Sequence, residues 1–378
     1  MVEHIRELLV EMITNRASDL YLTFDSSPAF RIDDIIHYHP SAALTEVDIS
    51  RYLEQMLTPE QADEFNSTFE LNMAAHFDTD ARFRINIFRQ QAHDGIVIRR
   101  IEHTIPTLQH LNLPSIYGDL AMEKRGLILV SGQTGSGKST SLAAMVGHRN
   151  QHGSGHIITI EDPIEFVHQH RNCIITQRDV GLDTYSYSLA LKNALRQRPD
   201  LVVIGEVRDR EVMEQAIYFA ETGHLCIATI HANNASQTIE RVLNFFPEER
   251  HPQILLNLSL NLRATLSQRL LTKIDGKRTL ALEIMLNRGL IKQHIEQGKI
   301  RQLREMIEKG AGEGMQTFDQ HLYDMCQNQH IITEETALAE SESSANMRVM
   351  FQNRRMTGSG GVEVSLRGSQ DIPASSNF

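Results

Sequence analysis

The sequence predicts an α/β protein in two parts. A small α+β domain over about residues 1–101 is followed, after a linker at 102–118, by a nucleotide-binding α/β domain over 119–355, and the chain closes in a disordered tail at 356–378. Three observations carry this. Leu127 to Val130 is a short apolar run that breaks into Gly132-Gln133-Thr134-Gly135-Ser136-Gly137-Lys138-Ser139, after which Thr140 to Val146 continues in good helix formers. Strand, glycine-rich loop and helix are the context in which G-x-x-x-x-G-K-[ST] binds phosphate. Further apolar runs, His156–Ile160, Leu201–Ile204 and the stretch between His224 and His231, end in acids or a histidine, where doubly wound sheets place their chemistry. The first hundred residues instead mix short helices with strands and turns.

Composition sets outer limits. With 378 residues the chain is long enough for two or three domains, each with its own core. A formal net charge of −11 leaves no overall nucleic-acid footprint. The N-terminus is charged and lacks an apolar core with a small-residue cleavage site. No window approaches the roughly 18 uncharged apolar residues of a spanning helix. Cys173, Cys226 and Cys326 are scattered without a C-x-x-C pair, as free thiols of a reducing compartment are. The expectation is a cytoplasmic protein without direct membrane insertion.

In chain order, Ile5, Leu8, Leu9, Met12 and Ile13 fall at helical spacing over residues 3–16. Asp19–Phe24 and Ala29–Asp33 read as strands split by Ser26-Ser27-Pro28. Thr45 caps a helix through Leu57, and Thr58-Pro59-Glu60 starts another. Phe69–Phe77, Ala81–Phe88 and Gly95–Ile101 read as strands. Arg82 and Arg84 stand two apart and so share one face of a strand. In a ring assembly they and neighbouring arginines could reach the next subunit's triphosphate; surface or ion-paired arginine is the plainer reading.

Beyond the phosphate loop, Glu161-Asp162-Pro-Ile-Glu165 follows the second apolar strand, and one of its acids must orient or deprotonate the attacking water. Tyr187–Arg196 reads as a helix that Pro199-Asp200 breaks, and the third strand runs into Gly205-Glu206, an acid placed to hold Mg²⁺ directly or through water. Lys138 would reach the β and γ phosphates, and the Ser139 hydroxyl would bind Mg²⁺. His224 and His231 bracket the fourth strand, roughly 20 Å apart, too far to ligate one ion; His231, at its carboxyl end, is placed to sense the γ-phosphate or contact a neighbour. Ile254–Leu271 reads as one long apolar helix, Arg278–Met285 as a strand, Asn287–Ile307 as a polar helix, and Thr317–Cys326 and Glu334–Ala339 as short terminal helices.

Taken together, Glu161-Asp-Pro-Ile-Glu165, the Gly205-Glu206 strand end and Gly223-His224…His231 resemble the secretion-ATPase superfamily. Ala17-Ser-Asp-Leu20, Arg82-Phe-Arg-Ile-Asn-Ile-Phe88, Ile158 to His168 and Glu221-Thr-Gly-His224 extend the resemblance, from residue 3 to about 350, to the type IV pilus retraction ATPases of the PilT/PilU family. The resemblance implies a PAS-like N-terminal domain and a RecA-like ATPase domain in a homo-hexameric ring, using ATP and Mg²⁺, at the cytoplasmic face of the inner membrane. Its partners would be a PilT-like ATPase and a PilC-like platform protein. It further implies roles residue by residue. Lys138 and Ser139 match the Walker A lysine and metal-binding hydroxyl, Glu165 the water-activating glutamate, and Glu206 the Mg²⁺-coordinating glutamate. His224 and His231 match the histidine pair, and Arg82, Arg84 and Arg99 match arginines that approach nucleotide across a subunit boundary. The lack of any C-x-x-C argues for retraction over extension. Leu290-Ile-Lys-Gln-His-Ile-Glu296, with lysine where the PilT motif has arginine, together with Gly314–Gln320 and Ala345–Arg348, resembles the PilU branch. Two rivals remain: a nucleic-acid translocase, which the acidic balance disfavours, and a nucleotide-dependent scaffold that hydrolyses little.

Overall fold

The computed structural model describes residues 4–33, 35–75, 77, 81–101 and 104–358. The N-terminal part is a six-stranded sheet of order β3-β2-β1-β6-β5-β4, built from β1 (Asp19–Thr23), β2 (Ala29–Ile32), β3 (Ile35–Tyr38), β4 (Glu70–Ala75), β5 (Arg82–Gln90) and β6 (His93–Ile101). Each strand pairs antiparallel with its neighbours. Helices α1 (Ile5–Thr14), α2 (Glu46–Met56) and α3 (Pro59–Thr68) complete the domain, and Leu8, Leu9, Met12, Ile49 and Tyr52 join Phe83, Ile85, Ile96 and Ile98 in one core. The helix starts follow the sequence. Thr45 and Thr58 each close a capping box, with Asp48 and Gln61 respectively, and Pro59 opens α3.

The second part is a seven-stranded sheet of order β13-β12-β7-β11-β10-β8-β9. Its strands are β7 (Gly126–Ser131), β8 (Gly155–Glu161), β9 (Cys173–Asp179), β10 (Leu201–Ile204), β11 (Leu225–Ile230), β12 (Leu262–Thr272) and β13 (Arg278–Leu286). From β12 across to β9 neighbouring strands run parallel. Helices α4 (Ile116–Ala121), α5 (Lys138–His152), α6 (Tyr187–Ala194), α7 (Arg210–Glu221), α8 (Ala235–Asn244), α9 (His251–Asn261), α10 (Gly289–Glu296) and α11 (Leu303–Lys309) connect or follow these strands. Every residue of β7, β10 and β11 is buried, the near-continuous apolar strand of a covered parallel sheet.

By internal contacts the chain forms two units, one of residues 1–271 with 278–317, the other of Thr272–Lys277 with the chain from Phe318 onward. The second unit holds α12 (Phe318–Gln327), α13 (Glu334–Glu340) and α14 (Ser344–Gly358), with Tyr323 stacked on Phe351 at 5.5 Å.

Four expectations change. The apolar helix over 254–271 ends at Asn261, and Leu262–Thr272 is strand β12, with Ala264, Thr265 and Leu266 paired to β7. An apolar run has no decisive period of its own, and the free edge of β7 settles its conformation. The helix over 287–307 is two: Gly298 takes φ 67° between α10 and the turn Ile300–Gln302 that leads into α11. Phe69 is the left-handed cap of α3 (φ 62°), so β4 begins one residue later. Helix α14 carries the chain to Gly358; the remainder of the expected tail lies outside the described residues.

Candidate nucleotide site

The phosphate loop takes its shape from its glycines. At Gly132 (φ 156°) a Cβ would stand 2.6 Å from the Gln268 carbonyl and closer still to Ser136 Oγ, so no side chain fits. Gly137 (φ 84°) caps α5 in the left-handed region. Behind the loop, buried hydroxyls tie β7 to its neighbours: Ser131 Oγ donates to Ser267 Oγ at 2.8 Å, and Thr238 Oγ1 to Ser131 Oγ at 2.9 Å. Thr134, Gly135, Lys138 and Ser139 open onto a cavity of ≈ 280 Å³. The Lys138 ammonium donates to the carbonyls of Gly132 and Gln133 at 2.8 and 2.7 Å. Burial lowers its pKa, and the charges of Glu206 and Glu165 oppose that shift.

The opposite wall comes from the carboxyl ends of β8 and β10, neighbours in the sheet, which bring Glu161, Asp162, Glu165, Gly205 and Glu206 to the same cavity. Glu161 accepts from Thr159 Oγ1 at 2.7 Å and Gln177 Nε2 at 3.3 Å, and burial pushes its carboxyl up to about 7. Glu206 is held from two sides, by Arg208 Nε and by His231 Nε2. Arg208 Nη1 also donates to Asp162 Oδ2 at 3.0 Å. A row of paired side chains, His231–Glu206–Arg208–Asp162, thus spans the mouths of β11, β10 and β8. The Tyr187 hydroxyl is buried beside this row without a hydrogen-bond partner, and burial raises its pKa strongly, with the Asp162 charge adding to the shift. Gly205 leaves it room: a Cβ there would lie 3.0 Å from the hydroxyl.

A second cavity, ≈ 660 Å³, lies between residues 105–119, the outer face of α5 and the segment 167–171. His168 lines both cavities, and burial lowers its pKa to about 4, leaving the ring neutral near pH 7.

Most of the expected site residues therefore converge, and a few stand elsewhere. His224 sits at the amino end of β11, with Nδ1 3.1 Å from Thr222 Oγ1 and its ring edge-on to Phe219; it does not line the cavity. Arg82 and Arg84 lie on the half-exposed face of β5, and Arg99 faces Arg84 across the β5–β6 ladder. Arg99 Nε donates to the buried Asp19 at 2.8 Å, which ties it to the N-terminal sheet. The charges of Arg84 and Arg82 reach Asp179, at the end of β9. Gly132, Gln133, Ser136, Gly137 and Thr140 form the loop and the start of α5, with Ser136 Oγ buried and unpartnered. Arg208 and Tyr187 were not singled out from the sequence. Arg208 was legible as the cation two residues after Glu206, but Tyr187 is brought in by α6 and carries no local signal.

The loop suits an anion. Its backbone amides converge at a helix N-terminus, its glycines leave space where a Cβ would block, and Lys138 and an orphaned hydroxyl stand by. Ser139 and Glu206, both hard oxygen donors on one cavity, suit Mg²⁺.

The family described as "Type II/IV secretion system protein" matches residues 1–364. The "Type IV pilus ATPase PilU" of Pseudomonas aeruginosa is 46% identical over 347 residues, covering 92% of this chain and 91% of that protein. The "Type IV pilus retractation ATPase PilT" of the same organism is 38% identical, over 83% of this chain and 92% of its own length. The crystal structure of "the Pilus Retraction Motor PilT and Bound ADP" superposes with a TM-score of 0.84 at 37% identity, covering 90% of this chain and 97% of the other. Among the described residues no helix is long and apolar enough to cross a membrane.

Proposed function

This chain belongs to the type II/IV secretion system protein family, among its PilT- and PilU-type pilus ATPases, and on that premise we propose that it hydrolyses ATP to power or assist type IV pilus retraction. One observation carries the reading: the phosphate loop, Glu165 and Glu206 face a single cavity. Lys138 pairs with the β and γ phosphates, displacing its two carbonyl contacts. Glu165, exposed at the cavity wall, orients the attacking water and takes its proton. Ser139 and Glu206 would hold Mg²⁺, which when bound neutralises charge on the phosphates. His231 and Arg208 keep the Glu206 carboxylate in place. The second cavity, which shares His168 as a wall with the first, is of a size to take the nucleoside end.

The working form is a homo-hexameric ring at the cytoplasmic face of the inner membrane, beside a PilT-type ATPase and beneath a PilC-like platform protein. In such a ring a contribution across the subunit boundary falls to Arg82 and Arg84, since Arg99 is engaged by Asp19. Residues 1–101 and 119–355 act as the two moving bodies, and 102–118 as the hinge between them. Identity of 46% to PilU against 38% to PilT favours the accessory role over that of principal motor.

The test is Mg²⁺-ATP hydrolysis by the purified protein, alone and with a PilT-type ATPase, with Glu206→Ala as control. Turnover that requires the second ATPase and is lost in the variant supports the accessory motor. Full turnover alone points to a principal motor. Absence of turnover in both conditions sinks the enzymatic reading.

A further inference from the structure

The loop that carries Glu165 is held by its backbone, and the residue that holds it lies on another strand. Glu165 itself is exposed, so packing does not fix its side chain. One main-chain amide does the fixing: the Ile164 amide donates to Asp179 Oδ2 at 3.2 Å.

Asp179 is unusual for an acid at the end of an edge strand, being only 4% exposed. It pairs in register with Glu161 across β8–β9, and the next amide, Val180, donates to the Glu161 carbonyl at 2.9 Å. Its own carbonyl accepts from Asp183 and Thr184 at 2.8 and 3.2 Å, and its amide donates to Asp183 Oδ2 at 2.9 Å. A buried carboxylate is costly when left unsatisfied, and the Ile164 amide supplies a hydrogen bond to it. Burial raises its pKa, while the Ile164 bond and the charges of Arg84 and Arg82 counter the shift.

We propose that Asp179 is a positioning residue for hydrolysis: by fixing the Ile164 amide it sets the direction in which the neighbouring Glu165 carboxylate enters the cavity. The inference rests on the reading of Glu165 as the water-activating group. Loss of the bond leaves the phosphate loop, and hence nucleotide binding, untouched, and lets the loop swing so that Glu165 meets water in the wrong place. Misplacement by about 1 Å costs on the order of 100-fold in rate.

The experiment uses the full chain, measuring steady-state ATP turnover under the conditions that give it and, separately, affinity for a fluorescent ADP analogue. Four variants are compared: Glu165→Gln, Asp179→Ala, Asp179→Leu and Asp179→Asn. Leucine nearly matches aspartate in reach, fills the buried space and offers no acceptor, so it carries the test if alanine destabilises the fold. Asparagine keeps the acceptor for Ile164. The expected result is kcat reduced about 10- to 100-fold in the alanine or leucine variant, with KM for ATP and affinity for the ADP analogue within about twofold, and recovery of most turnover in Asp179→Asn. Wild-type kcat in the leucine variant, loss of ADP affinity along with kcat, or an asparagine variant no better than leucine would each overturn the proposal. Glu165→Gln separates the two levels. Full turnover there removes the water-activating role and with it the task assigned to Asp179, whereas its loss beside normal turnover in Asp179→Leu defeats the positioning proposal alone.

Discussion

The two sheets of this protein use their strands in opposite ways. In β7, β10 and β11 all residues are buried, so no side chain on a strand is free for chemistry and the reactive groups stand where the strands end. In β5 burial alternates, with Phe83, Ile85 and Ile87 inside and Arg82, Arg84 and Asn86 on the half-exposed face. That sheet presents its arginines along the strand itself. A parallel sheet covered on both faces works at its rim, and an antiparallel sheet with one open face works on that face. Sequence changes should therefore be felt by position in one sheet and by parity in the other.

Glycine gives the largest contrast. Gly132→Ala forces a Cβ against the Gln268 carbonyl at 2.6 Å, a backbone atom that cannot step aside. Binding of the fluorescent ADP analogue should fall by a factor of about 100 or more as the loop rearranges, two powers of ten in affinity being about 3 kcal/mol. Gly95→Ala in β6 meets only the Phe88 ring, 2.8 Å away, a half-buried side chain that can turn. Its cost should stay near 1 kcal/mol in chemical denaturation, with ADP binding unchanged. Equal losses of ADP binding in both variants would break the comparison.

Next comes an alanine scan. Leu127→Ala and Ile128→Ala are consecutive, and each should cost about 2–5 kcal/mol, since both are buried to 1% or less. In β5, Ile85→Ala belongs to the same range, whereas Asn86→Ala should stay within about 0.5 kcal/mol. A strong effect at Asn86 would show that the face treated as open is covered.

The last effect appears only as pH changes. Glu161, with a folded pKa of about 7 against a usual 4.5, keeps a proton in the native state that the unfolded chain has released. Between those values the native state binds more protons, so this group makes stability fall as pH rises from about 4.5 to about 7, after which the loss is complete. Glu161→Gln keeps an acceptor for Thr159 and Gln177 and should remove that fall, gaining up to about 3 kcal/mol at pH 8. Parallel denaturation profiles for the two proteins would show that the carboxyl is not desolvated.

What the sequence revealed tracks how local each feature is. The loop Gly132–Ser139, the Thr45 and Thr58 caps and the alternation in β5 depend on near neighbours along the chain, and each was legible. Strand β9 was not, because Cys173–Asp179 mixes polar and apolar residues and is a strand only through its pairing with β8. Strand β12 looked helical because its apolar residues continue those of α9, and pairing with β7 decided otherwise. At the site, Lys138, Glu165 and Glu206 announced themselves in motifs. Tyr187 and Asp179 act through contacts made by α6 and β9, elements whose placement no motif encodes.

The place of β12 bears on how the chain is made. Strand β7, which feeds the phosphate loop, is flanked by β11 on one side and by β12 on the other. As the ribosome extends the chain, β11 emerges first, and until residues beyond Asn261 follow, β7 remains an uncovered edge with six apolar or small residues and unpaired amides. The nascent protein carries its entire phosphate-binding motif long before it can hold that motif rigid. A fragment ended near residue 261 should therefore bind nucleotide more weakly than the full chain and aggregate more readily through the exposed edge of β7.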